Sequence, residues 1–453
     1  MRRTDRLTRG RIASMAWPII LANAAVPLLG LADTAVIGNF ASLEDLGAVA
    51  FGAVIFSFVY WSFGFLRMGT TGFTAQAAGA GDEPEVRAAL ARALLIAFGI
   101  AALLLLLQSP IRISALFLLG GSETVSALTA EYFNIRIWGA PAILALFALM
   151  GILIGLGKSK TLLLVQVFLN GLNILLDILF AGVFGMGASG IALGTAIAEW
   201  SAFLFAACLV WRLLRERQQD GEAFIPLPRL RDAAKLKKTL AANTDIMIRT
   251  LLLVFSFAWF VRLSGQFGDD VLAANHILLQ LISFSAFFLD GFAFVAEAVT
   301  GAAAGGRRQR RFDLAVRRTT ELAFGSALVL ACAVALSGDL IVQALTTHEA
   351  VREAASAHLL LASLYILLSV AAFQLDGIFI GTTRTREMRN ASLVSAAGFF
   401  VLSFPLTDWL GVRGLWFAFI VYVVLRAVAL LCYYPGLRRS IRPLSDAGNT
   451  ASR

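Results

Sequence analysis

Of 453 residues, 59% are hydrophobic and only 15% charged, against about one-quarter charged in soluble domains. This composition excludes a water-soluble globular chain and the roughly three soluble domains that length alone suggests. The formal charge of +9 does not indicate a nucleic-acid partner, because the basic residues cluster between apolar segments in alternation, as they do beside a membrane.

Twelve stretches approach the roughly 20 apolar residues that cross a bilayer: 12–37, 46–76, 88–108, 131–155, 160–182, 188–213, 240–262, 270–303, 314–336, 353–381, 391–408 and 413–435. The first follows the basic start MRRTDRLTRGR, is too long for a signal-peptide core and lacks a cleavage site, so it reads as a membrane helix. Inside it, Pro27 removes a backbone hydrogen bond six residues before Asp33, which makes it a candidate hinge. In the fifth segment NGLNILLD sets Asn173 and Asp177 four residues apart, on one helix face. GTAIAEW repeats the spacing with Thr195 and Glu199 in the sixth, while Arg67 and Arg136 read as counter-ions or snorkelling side chains.

The polar stretch QQDGEAFIPLPRLRDAAKLKK, with Pro226 and Pro228, reads as a linker. Beyond it, Asp245 and Arg249 are spaced to close an intrahelical ion pair, Asp290 and Glu297 lie two turns apart on one face, and Asp376 sits in LDGIFIG. These last three fit either a substrate-contacting role or a buried polar network. Cys208, Cys332 and Cys432 stand singly and read as small core hydrophobes, with no spacing for a metal or a disulfide. Basic excess falls in the N-terminal arm, at Lys158 and Lys160, between Arg212 and Lys238, in GGRRQRR, in TRTREMR and in the tail. The positive-inside rule then places both termini and every even-numbered loop in the cytoplasm, with GDEPEVR after the second segment as the weak fit.

A shift of 226 residues superimposes the halves: GILIGLGK at 151–158 meets GIFIGTTR at 377–384, and Ala97-Phe98-Gly99 meets Ala323-Phe324-Gly325. Six crossings per half return the chain to its starting side, so the repeat is parallel. The expected organisation is an N-lobe over 1–213, a cytoplasmic linker over 214–239, a C-lobe over 240–435 and a polar tail over 436–453. At the same shift Asp33 falls on Trp259, Asp177 on Ser403, Glu297 on Thr71 and Asp376 on Met150, so none of these acids has an acidic mirror.

Asp33, Asp177, Asp290, Glu297 and Asp376 facing lipid would together cost about 12–17 kcal/mol, so they are expected to face protein or a wet cavity. Such acids mark proton or ion pathways. Two carboxylates sharing a dry site repel, so one of them readily holds a proton. No nucleotide-binding loop, HExxH or nucleophile elbow is present, which argues against an ATP-driven pump and against an enzyme.

WSFGFLRMGTTGFTAQAAG at 61–79, NTDIMIRT at 243–250, NHILLQL with FFLDGFAFVAEAVTG at 275–301 and, above all, LDGIFIGTTRTREMRN at 375–390 resemble the multidrug and toxic compound extrusion (MATE) family, in its DinF-like branch. The resemblance runs over about 12–435. It implies an all-α polytopic protein with two pseudo-symmetric six-helix bundles around a V-shaped cleft. It also implies export of hydrophobic or cationic small molecules by alternating access, in exchange for protons. Asp33, Asn173, Asp177 and Thr195 would then form the coupling site, where sodium stays open as the alternative ion. Asp376 matches the position of an acid that other branches use for sodium, whereas the seventh segment offers only Asp245, near its cytoplasmic end. No cofactor or nucleic acid is expected, and a monomer in the cytoplasmic (inner) membrane is. A lipid-linked oligosaccharide flippase of the same superfamily is the nearest competitor, but it tends to carry a basic cavity.

Overall fold

The structure, a computed structural model, describes residues 7–218 and 222–441, apart from six side chains between residues 26 and 40. The hinge expected at Pro27 lies outside these described residues, as do most of the tail and the centre of the linker. No strand occurs among the described residues. The spans run α1 Arg9–Phe40, then α2 Leu43–Ala80, α3 Glu83–Leu106, α4 Glu123–Gly155, α5 Ser159–Val183, α6 Gly187–Arg215, α7 Ala233–Phe267, α8 Asp269–Gly305, α9 Gln309–Leu345, α10 Leu359–Gly381, α11 Thr385–Leu410 and α12 Val412–Ser440. The eleven from α2 to α12 are long and apolar enough to cross a membrane, and α1, with 32 residues, completes the twelve.

The internal repeat is visible atom by atom. On α4, Gly151 and Gly155 lie so close to α2 that a methyl group on either would overlap the backbone oxygen of Arg67 or Thr71. On α10, Gly377 and Gly381 lie in the same way on the backbone oxygens of Ala293 and Glu297 in α8. All four contacts obey the 226-residue shift. Small residues one turn apart let two membrane helices approach backbone to backbone, where packing replaces the hydrophobic effect that lipid cannot supply.

Helix ends repeat as well. Gly81 and Gly157 close α2 and α4 with φ of 75° and 68°, and the equivalent residues Arg307 and Thr383 adopt φ of 51° and 52°. The bonds match: Lys158 N–H donates to Leu153 O at 2.7 Å, as Arg384 N–H does to Phe379 O at 2.9 Å. A left-handed residue with this reversed bond ends a helix and satisfies its last carbonyls.

The chain divides into two compact units, one formed by residues up to 20, 79–81 and from 241 onward, the other by 21–78 and 82–240. In the first unit the start of α1 packs with the C-terminal helices: Gly291 of α8 faces the Ile20 side chain and the Ala16 carbonyl, and Arg9 pairs with Glu321 at 2.8 Å. In the second unit the segment after α6 is held by the acidic α2–α3 turn. Arg217 binds Glu83 at 2.6 and 3.0 Å, Arg229 binds Asp82 at 2.6 Å and Lys235 binds Glu85 at 2.6 Å. The acids of GDEPEVR, which break the charge alternation, are thus neutralised by cations of the same chain.

The expectation that the three cysteines are core residues is corrected, since all three are free and exposed. A small apolar side chain is as well placed toward lipid as toward a core, so hydrophobicity does not separate the two.

Left-handed backbone costs a residue with a β-carbon roughly 1–2 kcal/mol. Thr383→Gly is therefore expected to raise the thermal denaturation midpoint of the purified protein, and Gly157→Thr to lower it, in a fluorescence-detected melt.

Candidate functional site

The α5 helix carries a polar face in an otherwise apolar span. Gln166, Asn170, Asn173 and Asp177 follow at intervals of four, three and four residues, which is one side of a helix, and all four are buried. Asp177 is 0% and Asn173 1% exposed. Directly after Asp177 the helix widens into a π-turn over Ile178–Val183, with Phe184 N–H donating to Leu179 O at 2.9 Å. Such turns loosen the backbone ladder and often occur at functional positions.

The four residues expected to form the coupling site lie here in two pairs. Asn173 Nδ2 donates to Thr195 Oγ1 of α6 at 3.0 Å, and Thr195 Oγ1 donates to Ile191 O at 2.8 Å. Half-buried Asp33 of α1 and Asp177 place their carboxyl groups within side-chain hydrogen-bonding reach of each other. Asp33 Oδ1, both oxygens of Asp177 and Asn173 Oδ1 are buried acceptors that receive no donor among the described residues. A hydrogen bond between two carboxyl groups requires that one of them carry a proton. Gly194 of α6 makes room for the pair, since a β-carbon there would lie 2.6 Å from Asp177 Oδ1.

The nearby positive charge, Arg136, is already engaged. Its Nη1 and Nη2 each donate to Glu199 at 2.6 Å, and its guanidinium lies over the rings of Phe56 and Tyr60, 5.1 and 5.5 Å from their centroids. The counter-ion expected at Arg136 is found, and Glu199 is the acid it serves. Pro141 opens this region, because α4 passes through a 3₁₀ turn at Ile137–Gly139 just before it. A methyl on Gly139 would overlap both Glu199 and Arg136.

In the C-terminal half the equivalent positions hold different chemistry. Trp259 Nε1 donates to Ser403 Oγ at 3.1 Å, so the residues that mirror Asp33 and Asp177 also meet, as a tryptophan and a serine. Aromatic rings of Phe255, Phe400 and Phe404 surround that tryptophan.

Asp376 lies elsewhere in this half, 5% exposed, paired with Arg249 of α7 and with Arg426 of α12 at 3.4 Å. The intrahelical pair expected between Asp245 and Arg249 is corrected. Asp245 instead accepts from Thr385 at 3.0 Å and from Arg389 at 2.7 Å. Both groups reach a partner on another helix, which fixes tertiary packing where an i,i+4 pair would stabilise only one helix. On α8, Glu297 is buried and Asp290 half-buried, and each takes part in interactions of its own.

Gln166, Asn170 and Arg426 escaped sequence reasoning. The first two were signalled by their helical spacing with Asn173, whereas Arg426 in VVLRAVAL has no acid within reach along its own helix.

Removing one partner of a buried ion pair strands the other, at about 3–5 kcal/mol. Glu199→Ala is therefore expected to lower the denaturation midpoint sharply, and Arg136→Met combined with Glu199→Leu to restore most of the loss.

Known proteins bear on this fold. The MatE family model matches the chain twice, at residues 18–179 and 246–407, once in each half. DNA damage-inducible protein F of Escherichia coli (strain K12) is 38% identical over 92% of this chain and 90% of its own length. A probable multidrug resistance protein NorM of Deinococcus radiodurans is 30% identical over 92% and 93%. Among solved structures, the Vibrio cholerae MATE transporter VcmN in its bent form superposes with a TM-score of 0.84 at 20% identity, over 96% of this chain and 97% of that one. An outward-facing multidrug resistance MATE transporter gives 0.83 at 19%, over 95% and 96%. With its doubled six-helix scaffold, the chain belongs to the MATE family, whose members are membrane transporters rather than enzymes and carry out multidrug and toxin efflux.

Proposed function

We propose that this transporter exports hydrophobic or cationic small molecules in exchange for protons, and that the proton is held between Asp33 and Asp177. One observation carries the proposal: the half-buried Asp33 carboxyl and the buried Asp177 carboxyl lie within hydrogen-bonding reach while the nearby arginine is bound to Glu199. Two unit charges about 4 Å apart repel by about 4 kcal/mol at an effective dielectric of about 20. A proton shared by the pair removes that repulsion, and its departure restores it.

Asn173 and Thr195 fix the geometry. Their hydrogen bond ties the face of α5 that bears Asp177 to α6, so a change in protonation acts on a held helix rather than on a free side chain. The π-turn after Asp177 provides backbone that yields when the pair gains or loses its proton. Alternating access then requires that the proton and the substrate each favour a different state of the two lobes.

Sodium coupling at the same residues is the second reading, and Asn173 Oδ1 favours it. That oxygen has no donor among the described residues, and together with the carboxylates it offers a hard cation the oxygen ligands it prefers. The pairing of Asp376 with two guanidinium groups argues against a separate cation site in the C-lobe.

In proteoliposomes with an imposed pH gradient, Asp33→Asn and Asp177→Asn are each expected to reduce export of a cationic dye at least tenfold, with the protein still monodisperse. Full export by Asp33→Asn would reject the proton role. A sodium gradient that drives export at equal pH on both sides would select the sodium reading.

A further inference from the structure

The α2–α3 and α8–α9 turns are equivalent under the 226-residue shift, yet they carry opposite charge. Residues 79–95 contain Asp82, Glu83 and Glu85 against Arg87 and Arg92, whereas 305–321 contain six arginines against Asp313 and Glu321. The first turn is closed by the chain itself. Asp82 caps α3, accepting from Glu85 N–H at 3.2 Å, and the cations of the following linker cover the rest of its acids.

The second turn has no such cover. Asp313 is committed to Arg438 through two bonds of 2.8 Å, and Glu321 to Arg9 and Arg317, each at 2.8 Å. Arg307, Arg308 and Arg310 stand exposed, and with half-buried Arg318 they have no acid of the described residues left to meet. Arg311 has interactions of its own. The segments beyond the described residues carry no net negative charge: 1–6, 219–221 and 442–453 together hold five arginines against Asp5, Asp220 and Asp446. No ion pair among the described residues balances this face, which leaves it open to an anion from outside the chain.

We infer that the arginine cluster at 307–318 is a binding surface for the headgroups of anionic phospholipids. The cluster joins two membrane spans at the end that the positive-inside rule assigns to the cytoplasm. Clusters of four to eight basic residues at that position attract acidic lipid. A phosphodiester accepts two hydrogen bonds from one guanidinium fork, so arginine is better suited to it than lysine. By anchoring this turn alone, acidic lipid holds the second repeat to the bilayer surface, while the first repeat is held by its own linker.

The test is lipid binding to the full-length purified protein in detergent, followed by native mass spectrometry with phosphatidylglycerol and with zwitterionic phosphatidylethanolamine. Wild type is expected to retain phosphatidylglycerol preferentially, and less so at high salt. Each basic residue contributes about a fivefold preference near an acidic surface, so Arg307→Gln, Arg308→Gln, Arg310→Gln and Arg318→Gln together should reduce it by roughly a hundredfold or more. The same four positions changed to lysine should keep most of the preference, which reports on charge even if the glutamine variant is poorly folded. Glutamine at Lys158, Lys160, Arg231 and Lys237 should leave it unchanged. Equal affinity of wild type for both lipids, an equal loss in this control, or displacement of the lipid by millimolar inorganic phosphate would overturn the inference.

Discussion

A charge inside a bilayer has to be balanced within the protein, because lipid offers neither counter-ions nor hydrogen bonds. Several of the buried ionic groups here meet that requirement by pairing across helices. Arg136 and Glu199 bind each other with two bonds, Asp376 lies between Arg249 and Arg426, and Asp245 is held by Thr385 and Arg389. Asp33 and Asp177 do not, since their buried oxygens receive no donor from the described residues. An uncompensated pair among compensated ones is a place where an ion can be taken up and released, and the ion pairs around it keep the helices in position while that happens. Arg136 serves both ends, because binding Glu199 leaves its charge near the two aspartates without neutralising either.

The repeat separates scaffold from chemistry. Gly151 and Gly155 against α2, and Gly377 and Gly381 against α8, make the same four backbone contacts, and the left-handed helix ends recur at the same shift. These contacts constrain backbone, so duplicated sequence preserved them. Side chains that face the interior were free to diverge. Where the first half sets a carboxyl against a carboxyl, the second sets the Trp259 indole against the Ser403 hydroxyl. That pair is already satisfied and uncharged, so the second half supplies a rigid aromatic layer where the first supplies an ionisable one. The turns diverged in the same sense: the acidic one is answered by the chain's own linker, and the basic one is left facing the membrane surface.

Twelve spans, the doubled plan and the isolation of Asp33, Asn173, Asp177 and Thr195 followed from the sequence, because hydropathy over 20 residues, a 226-residue register and spacings of three or four along a helix are local or periodic properties. Even Gln166 and Asn170 belong to that class, since they continue the polar face of α5. What the tertiary structure decided was partnership. No spacing along the chain reveals that Arg426 belongs with Asp376, that Arg249 leaves Asp245 for another helix, that Glu199 rather than Asp33 takes Arg136, or that the start of α1 packs with the C-terminal helices. A helix face states which side chains share a direction, but the neighbour it meets depends on backbone approach set by distant glycines. In a medium where every charge needs a partner, that approach determines which acids are neutralised and which are left to carry an ion.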